Sequence, residues 1–339
     1  MQTILITGAN GFIGSHTLNY LQQLSDSQSA DINLIAACRD KTRLPDSYTG
    51  EVREGDLRSA NYLATLLDDV DVVVDAMAWS SLWGRSKDSN DLFYQPTMKL
   101  IDKYLQSKAT RFVNISTTAA AAPQHSAEAM APGIPRKFWP HLCNIVKIEK
   151  YLRQHASGEK SVVNLRLGIF AGENYALGIL PILLPRLKTH LVPWVNGGNT
   201  HLPLADGRDY GQAMARAALT PGLPGYNAFN IVGKEIPTMR EIITFLHDEF
   251  GYPMPHFSVP FSMAYPFAWL METIDPVVPW EPLIVRSIIH LLEETNADNK
   301  RASEVLDYQP LYDWRETIRL QLAEMSTRQT RPMKMAKAS

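Results

Sequence analysis

Residues 7–14 read Thr7-Gly8-Ala9-Asn10-Gly11-Phe12-Ile13-Gly14, a T-G-x-x-G-x-x-G spacing. Small residues at those positions let backbone N–H groups approach a pyrophosphate, and a helix opening there adds the positive end of its dipole. The run Thr3-Ile4-Leu5-Ile6 feeds the turn, and a stripe of Ile13, Thr17, Leu21 and Leu24 leaves it. Strand before and helix after are the context that a dinucleotide site requires. The next expected strand, Ile32–Cys38, ends in Arg39-Asp40-Lys41-Thr42-Arg43. Arginine at that place accommodates the 2′-phosphate of NADP, whereas an acid hydrogen-bonds the ribose of NAD. Arg39 is first past the strand and Arg43 could supply a second cation, so NADP is favoured; Asp40 keeps NAD open. In Gly55-Asp56-Leu57-Arg58, after the third strand, Asp56 could accept from the adenine amino group.

The elements that would hold these residues alternate along the first half of the chain. Strands are expected near 2–7, 32–38, 51–54, 71–77, 110–116 and 161–167, with helices near 12–24, 59–68, 91–107 and 141–156. Alternating apolar strands and amphipathic helices predict an α/β fold, a Rossmann-type doubly wound parallel sheet. After Arg166 the texture changes to Gly- and Pro-rich loops with scattered helices. The expected organisation is a dinucleotide-binding domain over 1–168 and a smaller C-terminal substrate-binding lobe over 169–325, with some segments returning to the sheet. A basic flexible tail is expected over 326–339, with Arg328, Arg331, Lys334 and Lys337.

The chain has 339 residues, and 33 Lys and Arg against 35 Asp and Glu leave a formal charge of -2, with no basic field for nucleic acid. Cys38 and Cys143 are the two cysteines, so neither a disulfide framework nor a metal site is expected. That usage suits a reducing compartment, and a strand expected from residue 2 leaves no room for a signal peptide; a soluble, cytoplasmic protein is the expectation. Residues 250–271 carry no Asp, Glu, Lys or Arg. Pro253, Pro255, Pro260 and Pro266 would interrupt a membrane span, so this stretch reads as a buried helix or an apolar pocket wall.

Several segments, taken together, resemble the extended short-chain dehydrogenase/reductase family, which includes nucleotide-sugar epimerases, dehydratases and 3β-hydroxysteroid dehydrogenases. They are the glycine turn, Gly55-Asp56-Leu57, Ala76-Met77-Ala78, Arg166-Leu167-Gly168-Ile169-Phe170-Ala171-Gly172, Phe229-Asn230-Ile231 and Asp298-Asn299-Lys300-Arg301-Ala302. The resemblance implies a cofactor bed of Thr7, Gly8, Asn10, Gly11, Phe12, Ile13 and Gly14, with Arg39, Arg43, Asp56 and Leu57 on the adenosine side. Ala76, Met77, Ala78, Ser116, Lys147, Leu167 and Ile169 would complete it. The family's reaction centre is a Ser or Thr ending the fifth strand plus Y-x-x-x-K on the next helix. Hydride moves between nicotinamide and substrate while the tyrosine exchanges a proton, tuned by the lysine.

Transferred to this chain, the hydroxyl falls on Thr117, or on Thr118 if the register slips by one, and the lysine on Lys147. The tyrosine place is then Cys143. A literal Y-x-x-x-K at Tyr104–Lys108 precedes the fifth strand and lies on the wrong helix. A thiol near an ammonium has its pKa lowered, yet it stops short of where a phenol oxygen would sit. His141, Tyr175, Tyr94 and Trp83 are candidates to line the vacated space.

Candidate pocket segments are 78–85, 119–139, 170–180, 196–209 and 257–271, rich in aromatic residues and methionine. They suit an apolar or planar small molecule better than a sugar diphosphate, although Arg85, Arg136 and Arg208 could act as clamps. The leading expectation is an NADP-dependent oxidoreductase with a non-standard proton donor acting on a small, largely apolar metabolite. A non-catalytic, NADP-occupied redox sensor and a nucleotide-sugar epimerase or dehydratase are the alternatives. The family resemblance also allows a homodimer through the helices near 91–107 and 141–156.

Overall fold

A computed structural model describes residues 1–173, 178–278 and 282–330. Its first half runs β1 (Gln2–Thr7), α1 (Phe12–Asp26), β2 (Ile32–Cys38), β3 (Glu51–Glu54), α2 (Ala60–Leu66), β4 (Val72–Asp75), α3 (Ser86–Ser89), α4 (Gln95–Gln106), β5 (Arg111–Thr117), α5 (Pro140–His155) and β6 (Ser161–Leu167). The second half runs β7 (Ile169–Ala171), α6 (Ile179–Leu187), β8 (Trp194–Val195), β9 (Leu204–Asp206), α7 (Gly207–Leu219), β10 (Tyr226–Ile231), α8 (Met239–Phe250), β11 (Ser258–Val259), α9 (Phe261–Ile274), α10 (Arg286–Leu291), α11 (Lys300–Leu306) and α12 (Trp314–Thr330).

Seven strands form one parallel sheet in the order β10-β6-β5-β4-β1-β2-β3. Because strand side chains alternate, each strand serves two cores. Ile4, Ile6, Val72 and Val74 point to α1 and α7, while Leu5, Val73 and Phe112 point to α2, α4 and α5. The strand order reverses between β1 and β4, which opens a crevice at the carboxyl edge above the glycine turn. β10 returns from the second half to the sheet edge beside β6. A third core, built on Leu184, Ile242, Leu246 and Trp314, joins α6, α8 and α12.

Two details differ from the sequence reading. α12 continues through Thr330, so the segment from Ser326 begins as helix; residues 331–339, with Arg331, Lys334 and Lys337, lie outside the described residues. The uncharged stretch does form a helix, α9, running through Pro266. Proline there removes one bond to the Ser262 carbonyl, and Ser262 is exposed to water, which offsets the loss. α9 is nevertheless buried only at Ala264, Ala268 and Glu272.

One polar cluster fixes how α5 sits on the sheet. Every residue of β6 is buried, and Arg166, one residue from its carboxyl end, has no exposed side chain. Its Nε and Nη2 donate to Glu149 Oε1 and Oε2 of α5, each at 2.8 Å, and Nη2 also donates to the Ala131 carbonyl at 2.8 Å. Glu149 Oε1 further accepts from Ser116 Oγ at 2.5 Å and Asn164 Nδ2 at 3.0 Å. Removing one member of such a pair leaves a buried, uncompensated charge. Glu149→Ala should therefore cost about 3–5 kcal/mol in urea unfolding; a cost below about 1 kcal/mol would show that the pair does not anchor the helix.

Candidate active site

The glycine turn is shaped by close backbone packing. Gly8 has φ +59°, and a Cβ there would lie 2.7 Å from the Ala76 carbonyl oxygen. At Gly14 a Cβ would lie 2.1 Å from the Gly8 carbonyl oxygen, so α1 starts hard against the turn. Gly11 is different: its Cβ would meet only Gly8 O, at 3.1 Å, and otherwise fill open space above the turn. A cradle with bare backbone facing a helix N-terminus fits a pyrophosphate. Asn10 Nδ2 donates to the Asp40 carbonyl at 2.8 Å, tying the turn to the end of β2. Thr7 Oγ1 donates to Asp75 Oδ1 at 2.5 Å, joining the ends of β1 and β4. Burial raises the Asp75 carboxyl to about 6, despite that bond and one from Met77 N.

The residues expected around the adenosine divide. Arg39 and Arg43 are exposed, and their guanidinium groups make no hydrogen bond or ion pair among the described residues, while Arg43 N donates to the Asp40 carbonyl at 3.4 Å. The Asp40 carboxylate folds back onto Thr42, accepting from its N at 3.0 Å and its Oγ1 at 2.5 Å. Asp56 is gripped by Arg58, whose Nε and Nη2 lie 3.0 and 2.6 Å from Oδ2. Those bonds hold its carboxyl below the usual range. Leu57 packs into the core beneath the sheet.

From the turn, a cavity of about 1400 Å³ extends between the sheet edge and the second half of the chain. Phe12, Ile13, Met77, Ala78, Thr117 and Ile169 line its inner end. Trp79, Trp83, Phe170, Met239, Phe257 and Met263 are among its apolar walls, and Arg85 and Arg186 are the two arginines among its described lining residues. Leu167, in contrast, lies in the core. Ser116 spends its hydroxyl proton on Glu149, whereas Thr117 Oγ1 accepts from Ala119 N at 3.2 Å and keeps its proton free to donate. Tyr175 lies outside the described residues.

The face that α5 presents corrects the expected pair. His141 and Ile145 line the cavity; Cys143 and Lys147 are not among its lining residues. Two positions along a helix are a rotation of about 200°. Glu149, held by Arg166, is four residues beyond Ile145 and eight beyond His141, so one stripe carries all three inward. Cys143 Sγ instead donates to the Arg136 carbonyl at 3.1 Å. Burial pushes its thiol up, with Lys147 offsetting only part of that, so the thiol is not activated. Lys147 is exposed, with Nζ 5.4 Å above the Tyr94 ring and 3.5 Å from Asn144 Oδ1.

His141 is buried between Trp79 and Phe93, with ring centroids 5.3 and 4.8 Å away. Burial holds its imidazole down at about 4, so the ring is neutral at physiological pH. Its Nδ1 lies 3.2 Å from Ser89 Oγ, which accepts from Asn144 Nδ2 at 3.1 Å. Ser89 is fully buried, so its proton has Nδ1 as its acceptor. That leaves the ring proton on Nε2 as a donor. A π turn at Asn90–Tyr94 between α3 and α4 shapes this region, and Phe93 lies within it.

Ile145, Ser89 and Asn144 escaped the sequence reading. The signal that could have found them is Arg166: an arginine inside an apolar strand demands a buried acid, and Glu149 supplies it.

The profile of the NAD dependent epimerase/dehydratase family matches residues 4–231. A curated relative, the low-salt glycan biosynthesis protein Agl12 of Haloferax volcanii, is 31% identical over 121 residues, which span 34% of this chain and 39% of the relative. Among solved structures, gox2253 superposes with a TM-score of 0.71 at 17% identity, covering 97% of this chain and 99% of the other. A UDP-glucuronic acid 4-epimerase from Bacillus cereus, in complex with UDP-glucuronic acid and NAD, gives 0.68 at 18%, covering 96% and 99%. At such identities these structures show the shared fold. Gly11→Ala should leave urea stability within about 1 kcal/mol, because its Cβ meets little protein, yet weaken NADPH and NADH binding at least about tenfold by occupying the phosphate approach. Unchanged binding in a fluorescence titration would mean that the dinucleotide does not use this turn.

Proposed function

The chain belongs to the NAD-dependent epimerase/dehydratase family, and on that premise we propose that it is an NADP-preferring oxidoreductase acting at a hydroxyl or carbonyl of an apolar substrate. The observation that carries this reading is that Thr117 and His141 line one largely apolar cavity, each with a proton left to donate, on Thr117 Oγ1 and on His141 Nε2. When bound in the glycine cradle, the dinucleotide supplies or accepts hydride. Thr117 and His141 would hold the substrate oxygen and stabilise the negative charge that grows on it. A neutral imidazole whose pKa is depressed can polarise a carbonyl without giving up its proton. Preorganised donors in a water-poor site are worth far more than the same groups in water. Water from the cavity mouth would supply the proton that completes an alcohol. On the face that α5 turns to the cavity, Ile145 stands four residues after His141, the spacing of a Y-x-x-x-K lysine, and puts a hydrocarbon there, so no cation tunes an acid at this face. Arg39 and Arg43, whose exposed guanidinium groups form no ion pair among the described residues, support the NADP preference, as does Asp40, whose carboxylate is folded onto Thr42.

A nucleotide-sugar epimerase or dehydratase is the second reading. It is favoured by the solved neighbour holding a UDP-sugar and by Arg85 and Arg186 in the cavity wall. The replaced tyrosine and lysine positions weigh against it, because those reactions begin by oxidising a sugar hydroxyl.

The test is steady-state kinetics with NADPH against a panel of long-chain and aromatic ketones, beside UDP-sugars. His141→Phe should lower kcat by about 10²- to 10³-fold with unchanged NADPH affinity, while Cys143→Ser stays within about twofold of wild type. Because the His141 ring is neutral above about 4, kcat should show no inflection at the ordinary imidazole value near 6.5. Tight NADPH binding without turnover of any panel member would instead identify a binding or sensing protein. Turnover of UDP-sugars alone would transfer the assignment to the second reading.

A further inference from the structure

α9 is packed inside out. Its inward stripe carries Ala264 and Ala268, 6% and 0% exposed, while Met263, Phe267, Trp269 and Leu270 are 62%, 46%, 54% and 46% exposed. A helix that keeps its alanines for the core and its largest apolar side chains for the outside has a surface made for an apolar medium. This surface is continuous with the cavity: Met263 and Phe267 line it, as do exposed Phe257 and Leu191. The charges nearby suit the same medium. Residues 250–271 contain no charged side chain. Of the adjacent acids, Glu272 is buried and bonded to Arg286 Nε at 2.6 Å, and Asp275 accepts from Trp83 Nε1 at 3.0 Å. Arg85 and Arg186 line the cavity and form no ion pair among the described residues, Arg186 giving Nε and Nη1 to the Leu283 and Ile182 carbonyls at 3.0 and 2.8 Å and keeping Nη2.

We infer that this face docks on a lipid bilayer bearing anionic headgroups, and that the cavity takes its apolar substrate from that bilayer. Met263, Phe267 and Leu270, which share one stripe, would enter the headgroup boundary with Trp269 at the edge of that face, and Arg85 and Arg186 would meet lipid phosphates. No described helix is long and apolar enough to cross a membrane, so the attachment is to one leaflet. The substrate half of this inference rests on the oxidoreductase reading; the docking half does not.

Sedimentation with vesicles of phosphatidylcholine, with and without phosphatidylglycerol, tests it. The full chain should pellet with vesicles, more strongly with the anionic lipid. The double variant Trp269→Asp, Leu270→Asp, altered outside the cavity lining, should lose at least about tenfold in vesicle affinity while binding NADPH as wild type does. Should that variant misfold, quenching of tryptophan fluorescence by brominated lipid gives the same answer, since Trp269→Phe must abolish part of it. Failure of wild type to pellet would overturn the inference. So would a wild-type dimer in solution that the double variant loses, because the face would then be covered by a second copy. Turnover of a dissolved ketone without vesicles reads the enzyme separately: vesicle binding with no turnover would leave the docking surface standing and remove the oxidoreductase reading.

Discussion

A guanidinium on a fully buried strand cannot stand without a counter-charge, and Glu149 of α5 supplies it to Arg166 through two parallel bonds. Two ions taken out of water are held in place only by good geometry, and a planar fork on a carboxylate leaves little freedom of rotation. α5 therefore has one rotational setting on the sheet. Ser116 at the end of β5 is drawn into the same cluster and spends its proton there, whereas its neighbour Thr117 lines the cavity with its proton free. The Ala131 carbonyl is drawn in too, so the loop between β5 and α5 is tied to the sheet at the same point.

The chemical character of the site follows from that setting. Turned inward, α5 offers an imidazole and a hydrocarbon, not a thiol and an ammonium. The imidazole is kept neutral by the aromatic side chains around it and oriented by the Asn144–Ser89 relay. An ammonium at position 145 would need a counter-charge in this apolar cavity; isoleucine needs none. The cavity is accordingly suited to holding an oxygen between two neutral donors amid hydrocarbon, and its apolar lining extends outward to the exposed face of α9.

The sheet was legible because its signals are local. Glycine spacing, buried valine runs and helix stripes placed β1 to β6 within a residue or two, whereas β10 was not foreseen as a strand, although Phe229-Asn230-Ile231 of the family resemblance lies in it. The rotation of α5 was not, because it depends on a contact between residues 149 and 166 that no local pattern reveals. Matching Lys147 to a motif put Cys143 and Lys147 at the centre, two residues from the face that the buried pair selects. Asp40 was similarly ambiguous until its carboxylate was seen to cap its own turn. On α9, four prolines argued against a span, yet the apolar residues proved to face outward because alanines had taken the inner stripe.

The setting of α5 can be read directly with single cysteines at its competing positions. Alkylation rates would be compared with and without saturating NADPH for native Cys143, and for His141→Cys and Ile145→Cys in a Cys143→Ser background. Cys38, the other native cysteine, is buried. The account predicts that the cofactor slows alkylation at 141 and 145 and leaves 143 unchanged. Protection of Cys143 with none at 141 or 145 would contradict it, and would return the thiol and Lys147 to the reaction centre.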